Sequence, residues 1–169
     1  MIAKEIQKEF LRSYLKPLLK KKNFQTSGQT WWRDQGYFFI VLNLQSSAWN
    51  DKNHIHFFFN IGIALKQTLK DPQKKRAGYF DLTVFVREDF YLSENRKSHK
   101  YRDPGGYNLK EETDLTDFIR EFQKDFDGEI MPKLDSLINL KECITLYQDV
   151  ILYGDNLKQY IRENNVPLN

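Results

Sequence analysis

The fold turns on residues 37–65, Tyr37-Phe38-Phe39-Ile40-Val41-Leu42-Asn43-Leu44-Gln45 and, after the polar run from Ser46 to Asn53, His54-Ile55-His56-Phe57-Phe58-Phe59-Asn60-Ile61-Gly62-Ile63-Ala64-Leu65. Both segments read at period two. Successive side chains of a strand point to opposite faces, so Phe38, Ile40, Leu42 and Leu44 share one side, as do Ile55, Phe57, Phe59, Ile61 and Ile63. These rows are apolar throughout and need a layer of helices against them. The opposite rows hold Tyr37, Phe39, Val41, Asn43 and Gln45 on one strand and His54, His56, Phe58, Asn60 and Gly62 on the other. A solvated face usually carries more Lys and Glu, and a second core fewer amides. This mixture of rings and amides leaves the face half dressed for contact, and Asn43, Gln45 and Asn60, on the same side of neighbouring strands, read first as a structural network across the sheet and second as a binding site.

Working outward, Gln29 to Arg33 reads as a preceding strand, joined through the Gln35-Gly36 turn. A fourth strand is expected from Tyr79 to Arg87, after the polar, basic segment from Lys70 to Gly78. It would place Phe80, Leu82, Val84 and Val86 inward and Tyr79, Asp81, Thr83, Phe85 and Arg87 outward. Ahead of the strands, Ile2, Ile6, Phe10, Tyr14 and Leu18 recur at helical spacing, and Pro17 interrupts that helix because it lacks an amide hydrogen. Behind them, Leu115, Phe118, Ile119, Phe122 and Phe126 form a stripe that Thr113 or Asp114 can cap. Asn139 with Glu142 forms a capping-box pattern for the next helix, and a last helix runs from Asp155 through Ile161. The order of elements predicts an α+β fold, with an antiparallel sheet of about four to five strands flanked by an N-terminal helix and C-terminal helices. It reads as a single domain over 1–169. Residues 90–109, with Asp103-Pro104-Gly105-Gly106 and the cations Arg96, Lys97, Lys100 and Arg102, read as a long, mobile, basic loop.

Of the 169 residues, 25 are aromatic (13 Phe, 9 Tyr, 3 Trp), many for a soluble protein, and either all are core or some line a binding face. The net charge of +3 is unevenly spread, with +10 over residues 1–110 and −7 over residues 111–169. Such polarity can steer an anionic partner or pair the two ends within one fold. No apolar run reaches the length of a membrane span, and the N-terminus has no secretory pattern, so a cytoplasmic location is expected. Cys143 is the sole cysteine and sits in an apolar-periodic stretch, which predicts a buried thiol and excludes a cysteine-rich metal site.

No catalytic constellation emerges. His54 and His56 point the same way but lack a third ligand, so no metal or other cofactor is expected. His99 has no identifiable acid partner, and Gly105-Gly106 precedes no helix as a phosphate loop would. The adjacent carboxylates Glu88-Asp89 and Glu111-Glu112 read as solvated surface.

The segments Leu19 to Phe24, Gly28-Gln29-Thr30-Trp31-Trp32-Arg33, Asn43 through Asn50 and Phe58-Phe59-Asn60-Ile61-Gly62-Ile63, with Met131-Pro132-Lys133-Leu134 at the start of the C-terminal helices, together resemble the bacterial domain-of-unknown-function family numbered 4304, over about residues 10–150. The resemblance implies a small α+β domain and no particular activity. By analogy with small bacterial immunity proteins, it adds a toxin-neutralising or accessory role to the expectations.

The leading expectation is a non-enzymatic binding protein that engages another protein through the sheet face, with Tyr37, Phe39, Asn43, Gln45, Trp49, His56, Phe58, Asn60, Thr83, Phe85 and Arg87 as contact residues, Trp49 anchoring its loop onto the sheet, and Arg96, Lys97, Lys100 and Arg102 beside them. Two alternatives stand open. One is single-stranded nucleic-acid binding, with Tyr37, Phe39, Phe58 and Phe85 stacking bases; the other is an uncharacterised enzyme or metal-binding protein.

Overall fold

The two alternating segments form the two longest strands of a seven-stranded sheet. The computed structural model describes residues 1–150 and 153–168. Its strands are β1 (Gln25–Ser27), β2 (Thr30–Asp34), β3 (Phe38–Ser46), β4 (His54–Leu65), β5 (Val84–Arg87), β6 (Arg102–Asp103) and β7 (Gly106–Lys110). They lie in the order β1-β2-β3-β4-β7-β6, with β5 alongside β4. Its helices are α1 (Ala3–Phe10), α2 (Lys16–Lys21), α3 (Leu115–Asp125), α4 (Met131–Asp135), α5 (Leu140–Tyr147) and α6 (Tyr153–Glu163). The α+β class, the antiparallel sheet and the flanking helices are as expected, with more strands than the sequence displayed.

Local signals set many of the boundaries. Pro17 sits in the first turn of α2. The chain reaches α2 through a widened turn over Leu11–Leu15, in which the Lys16 N–H donates to the Leu11 carbonyl. Asn23, at φ 66°, ends α2 in the left-handed conformation, and the Phe24 N–H reaches back to the Leu19 carbonyl. Asp114 and Asn139 cap α3 and α5, accepting from the N–H groups of Asp117 and Glu142 at 2.8 and 2.9 Å. Between β2 and β3, Gly36 takes φ 96° and donates its N–H to the Asp34 carboxylate.

The chain packs as two compact units. The first comprises Met1–Phe24, Leu44–Phe59 and Arg87–Lys133. Its centre is a stack of rings: Phe10 lies 4.9 Å from Phe122 and 5.0 Å from Phe118, centroid to centroid, and Phe57 stacks on Tyr107 at 5.6 Å. Phe59 and Phe122 both pack on Phe126. Much of the aromatic excess is therefore core. β4 and β7 pair antiparallel in this unit, with Ile55 opposite Leu109 and Phe57 opposite Tyr107.

The second unit comprises Gln25–Asn43, Asn60–Val86 and Leu134–Asn169. Trp31 faces Leu42 and Arg33 faces Ile40 across β2 and β3. On the opposite face Trp32, Phe39 and Val41 cluster with Ala64, Leu69 and Ala77, and Leu82 packs against them. Leu69, Ala77 and Leu82 come from the connection 66–83. That connection turns half of the predicted contact face into a second core, because apolar area removed from water stabilises the fold.

Two expectations fail here. The fourth strand begins at Val84 rather than Tyr79, and Tyr79–Asp81 form a single tight helical turn. Phe80, assigned inward by alternation, is 98% exposed. Residues 90–109 are not one long irregular loop. They begin in the helical turn Glu88–Tyr91 and contain the turn Glu94–Arg96 and most of the β6–β7 hairpin.

Candidate functional site

In the second unit most of the predicted contact residues are engaged internally. Phe39 is buried beneath the connection, with the Lys66 ammonium 4.8 Å above its ring. Asn60 is buried and donates to the Asn43 side-chain oxygen at 3.3 Å, and Asn43 donates to the Thr30 hydroxyl at 2.9 Å. This is a cross-strand amide ladder of the kind that specifies register. Thr83 is half-buried; its hydroxyl accepts from the Leu65 N–H and its own N–H donates to the Ile63 carbonyl. Phe85 packs between Tyr79 and Tyr153 at 5.4 and 5.7 Å. Tyr37 stays open to solvent.

The four basic-loop residues, all in the first unit, are paired rather than free. Lys97 lies 2.7 Å from Glu94 and Lys100 2.6 Å from Asp117. Arg96 contacts Asp125 at 2.6 Å and Glu121 at 3.1 Å. Arg102 is buried 2.7 Å from Glu88, itself fully buried. Burial drives the Glu88 carboxyl above its ordinary value, against the pull of the Arg102 charge and of the Phe59 N–H that donates to it. Glu88 is therefore not the solvated surface acid that the sequence implied.

His99 does have an acid partner. Its Nε2 lies 2.8 Å from Asp125, which also accepts from the Tyr107 hydroxyl at 3.0 Å. The Nδ1 of the same ring accepts from the Tyr101 N–H at 3.3 Å, so both nitrogens are occupied. Asp125 was missed because it reads as the polar end of α3, yet it lies seven residues after Phe118 and three after Phe122, on the buried stripe. An acid on such a stripe is the signal for a buried partner. In the second unit, Cys143 is buried, and burial pushes its thiol up to about 12. Among the described residues no group of three or more His, Cys, Asp or Glu is placed to hold a metal ion.

In the first unit Trp49, on the β3–β4 connection, is 94% exposed rather than anchored on the sheet. The loop carrying it is nonetheless tied down. The Asn50 amide grips the backbone of His56 at both ends, donating to its carbonyl at 2.8 Å and accepting from its N–H at 2.7 Å. The Ser47 N–H donates to the same carbonyl, and the Ser47 hydroxyl accepts from the Trp49 N–H at 3.2 Å. Asp51 accepts from the N–H groups of Asn53 and His54. These are the local bonds that Asn, Asp and Ser bring to turns, and here they leave the indole facing water.

Next to this loop lies a polar and aromatic surface of β4, β5 and the β6–β7 hairpin. The Arg87 guanidinium sits 3.9 Å over the Phe58 ring. The His56 ring lies 3.8 Å from the Asp103 carboxylate, and His54 bonds Asn108 at 3.2 Å. Asn108 in turn donates to Asp103 at 2.8 Å. Burial alone would raise the Asp103 carboxyl, but the bonds from Asn108 and the Gly105 N–H and the adjacent His56 hold it below its ordinary value. Of the predicted contact residues, Trp49, His56 and Arg87 thus lie on this side of the first unit and Gln45 is exposed at the end of β3, whereas Phe58 is buried, its ring covered by Arg87, and is not a contact residue. Donors, acceptors and rings are present there.

Among the described residues no helix is long and apolar enough to cross a membrane. No curated protein and no solved structure matches the chain. Residues 15–136, most of its length, match the family described as Domain of unknown function (DUF4304), and the chain belongs to that family.

Proposed function

We propose that this is a non-enzymatic binding protein of the cytoplasm that engages a protein partner through the Trp49 loop and the adjoining His56 and Arg87 side chains of its first unit. A toxin-neutralising or accessory role is the expected setting. The observation that carries the reading is Trp49, 94% exposed on a loop fixed by the Asn50 clamp on His56. Exposing an indole forgoes burial worth about 2–3 kcal/mol in the free protein, and a pre-ordered loop loses little entropy when a partner covers it. Trp is also the residue most enriched among the few side chains that dominate binding energy.

The test compares proteins retained from the source cell by wild type and by Trp49→Ala. A partner retained by wild type and lost by the variant, with the thermal midpoint unchanged, supports the reading. An identical set of retained proteins would overturn it.

A further inference from the structure

The connection 66–83 of the second unit covers a sheet face with its inner side and carries an unusual outer side. Phe80 is 98% exposed at the tip of the turn Tyr79–Asp81. The turn is held from several directions. The Asp81 carboxylate accepts from the Gly78 N–H at 2.7 Å and from the Lys74 ammonium at 2.8 Å. The Asp81 N–H closes the turn on the Gly78 carbonyl at 3.1 Å. The Tyr79 ring stands edge-on to Phe80 at 5.4 Å and rests on Phe85 at the same distance. Phe80 is therefore presented to solvent by a packed turn.

Beside the ring lies a depression of about 660 Å³, whose apolar lining is Leu69, Phe80, Leu82 and Tyr160. That volume exceeds one side chain and suits a short apolar segment. Lys70 and Lys74 line the depression together with Asp71 and Asp81, and further cations adjoin it in the same segment. Residues 66–76 carry five cations and one carboxylate, Asp71. Lys66 is paired with Asp34 at 2.7 Å and Lys74 with Asp81 at 2.8 Å. Lys70, Lys75 and Arg76 are exposed and form no ion pair among the described residues.

We infer that this surface docks an acidic protein segment bearing apolar side chains, which enter the depression against Phe80 while its carboxylates face Lys70, Lys75 and Arg76. A nucleic-acid strand fits less well. Its phosphates recur at fixed spacing and need a continuous cationic track, whereas here three cations fall within seven residues and Asp71 and Asp81 line the same depression. A peptide can place separate carboxylates around those acids.

The inference does not rest on the Trp49 reading. The experiment is fluorescence anisotropy of the full chain with three labelled probes: a peptide in which Glu alternates with Leu and Phe, the same peptide with Lys for Glu, and an oligothymidylate of matching length. The acidic peptide should bind, the basic one should not, and binding should weaken between about 50 and about 300 mM salt. Phe80→Ser and the triple variant Lys70→Glu, Lys75→Glu, Arg76→Glu should each weaken it about tenfold or more. Trp49→Ala should leave it unchanged. All substituted side chains are exposed, and equal thermal midpoints confirm folding.

Absence of acidic-peptide binding, equal binding by the variants, or tighter binding of the oligonucleotide overturns the inference. So does concentration-dependent self-association that Phe80→Ser abolishes, since the surface would then belong to a second copy. Loss of binding in Trp49→Ala alone would assign the peptide to the other surface and equally overturn it.

Discussion

The Arg102 guanidinium lies 2.7 Å from the Glu88 carboxylate, with each side chain only 1% exposed. Two charges removed from water to this degree are held by each other, by the Phe59 N–H that donates to Glu88, and by the Tyr107 ring under the guanidinium. The pair couples the turn after β5 to the β6–β7 hairpin, segments that sequence order leaves fourteen residues apart.

Removing one member leaves the other charged and unsolvated. Glu88→Ala is expected to destabilise the protein by about 3–5 kcal/mol, read from the shift of the urea midpoint. Replacing both residues, Glu88→Met with Arg102→Leu, should cost clearly less than Glu88→Ala, since no unpaired charge remains.

Gly62 and Gly128 should respond in opposite directions to the same substitution. A Cβ at Gly62 would lie 1.8 Å from the Val84 carbonyl oxygen and 2.7 Å from the Phe85 Cα, both backbone atoms. Gly62→Ala therefore requires β5 to move off β4, at a cost of about 3 kcal/mol or more. At Gly128 nothing lies within 4 Å of the added carbon. Gly128→Ala should stabilise by up to about 1 kcal/mol, because it reduces the freedom of the unfolded chain. Thermal unfolding of the two variants checks both signs.

Acid should loosen the contact between the β6–β7 hairpin and α3. Asp117 accepts from Lys100 at 2.6 Å, from the Tyr101 hydroxyl at 2.5 Å and from Arg120 at 2.6 Å. Hydrogen bonds from Lys100 and then Tyr101 hold its carboxyl at about 2, below the ordinary 3.8. A carboxylate whose folded value is depressed contributes fully above its unfolded value, and that contribution is lost as pH falls toward the folded one. Amide protection factors in residues 99–107, taken relative to the intrinsic exchange rate at each pH, should therefore fall between about pH 4 and about pH 2, and Asp117→Asn should show the lower protection already at neutral pH. Protection unchanged to pH 2 in wild type would falsify this account.

The Trp49 loop separates stability from presentation. Trp49→Ala should change the unfolding free energy by no more than about 0.5 kcal/mol, as expected for an exposed side chain. Asn50→Ala removes both bonds to the His56 backbone and should cost about 1–2 kcal/mol. It should also lower the steady-state fluorescence anisotropy of Trp49, measured in a variant with the other two tryptophans replaced by Phe.

Much of the fold was legible in the chain alone. Alternation located β2, β3 and all of β4, and helical spacing located α1, α3, α5 and α6. Asp114 and Asn139 announced their caps, and Pro17 its interruption. These signals are local, set by backbone sterics and by hydrogen bonds a few residues apart, so the sequence carries them without reference to the rest of the molecule. The short strands β1, β6 and β7 were not legible as strands, since two to five residues carry too little periodicity and owe their state to the partners they pair with.

What the tertiary structure alone decided is which side of each element meets water. Phe39 and Asn60 lie on the row that looked open, yet the connection 66–83 covers the first and the amide ladder engages the second. Phe80 lies on the row that looked buried, but the strand starts at Val84, and a ring outside the pleat no longer obeys its alternation. Arg96, Lys97, Lys100 and Arg102 read as a free cationic loop, while their acids, Asp125, Glu121, Glu94, Asp117 and Glu88, lie as far as 29 residues away. Pairing at that distance is decided by packing: a buried charge must find its counter-charge wherever the chain brings one. By itself the sequence determined the elements and their period; the exposure of Trp49 and Phe80 followed only from what the folded chain laid over everything else.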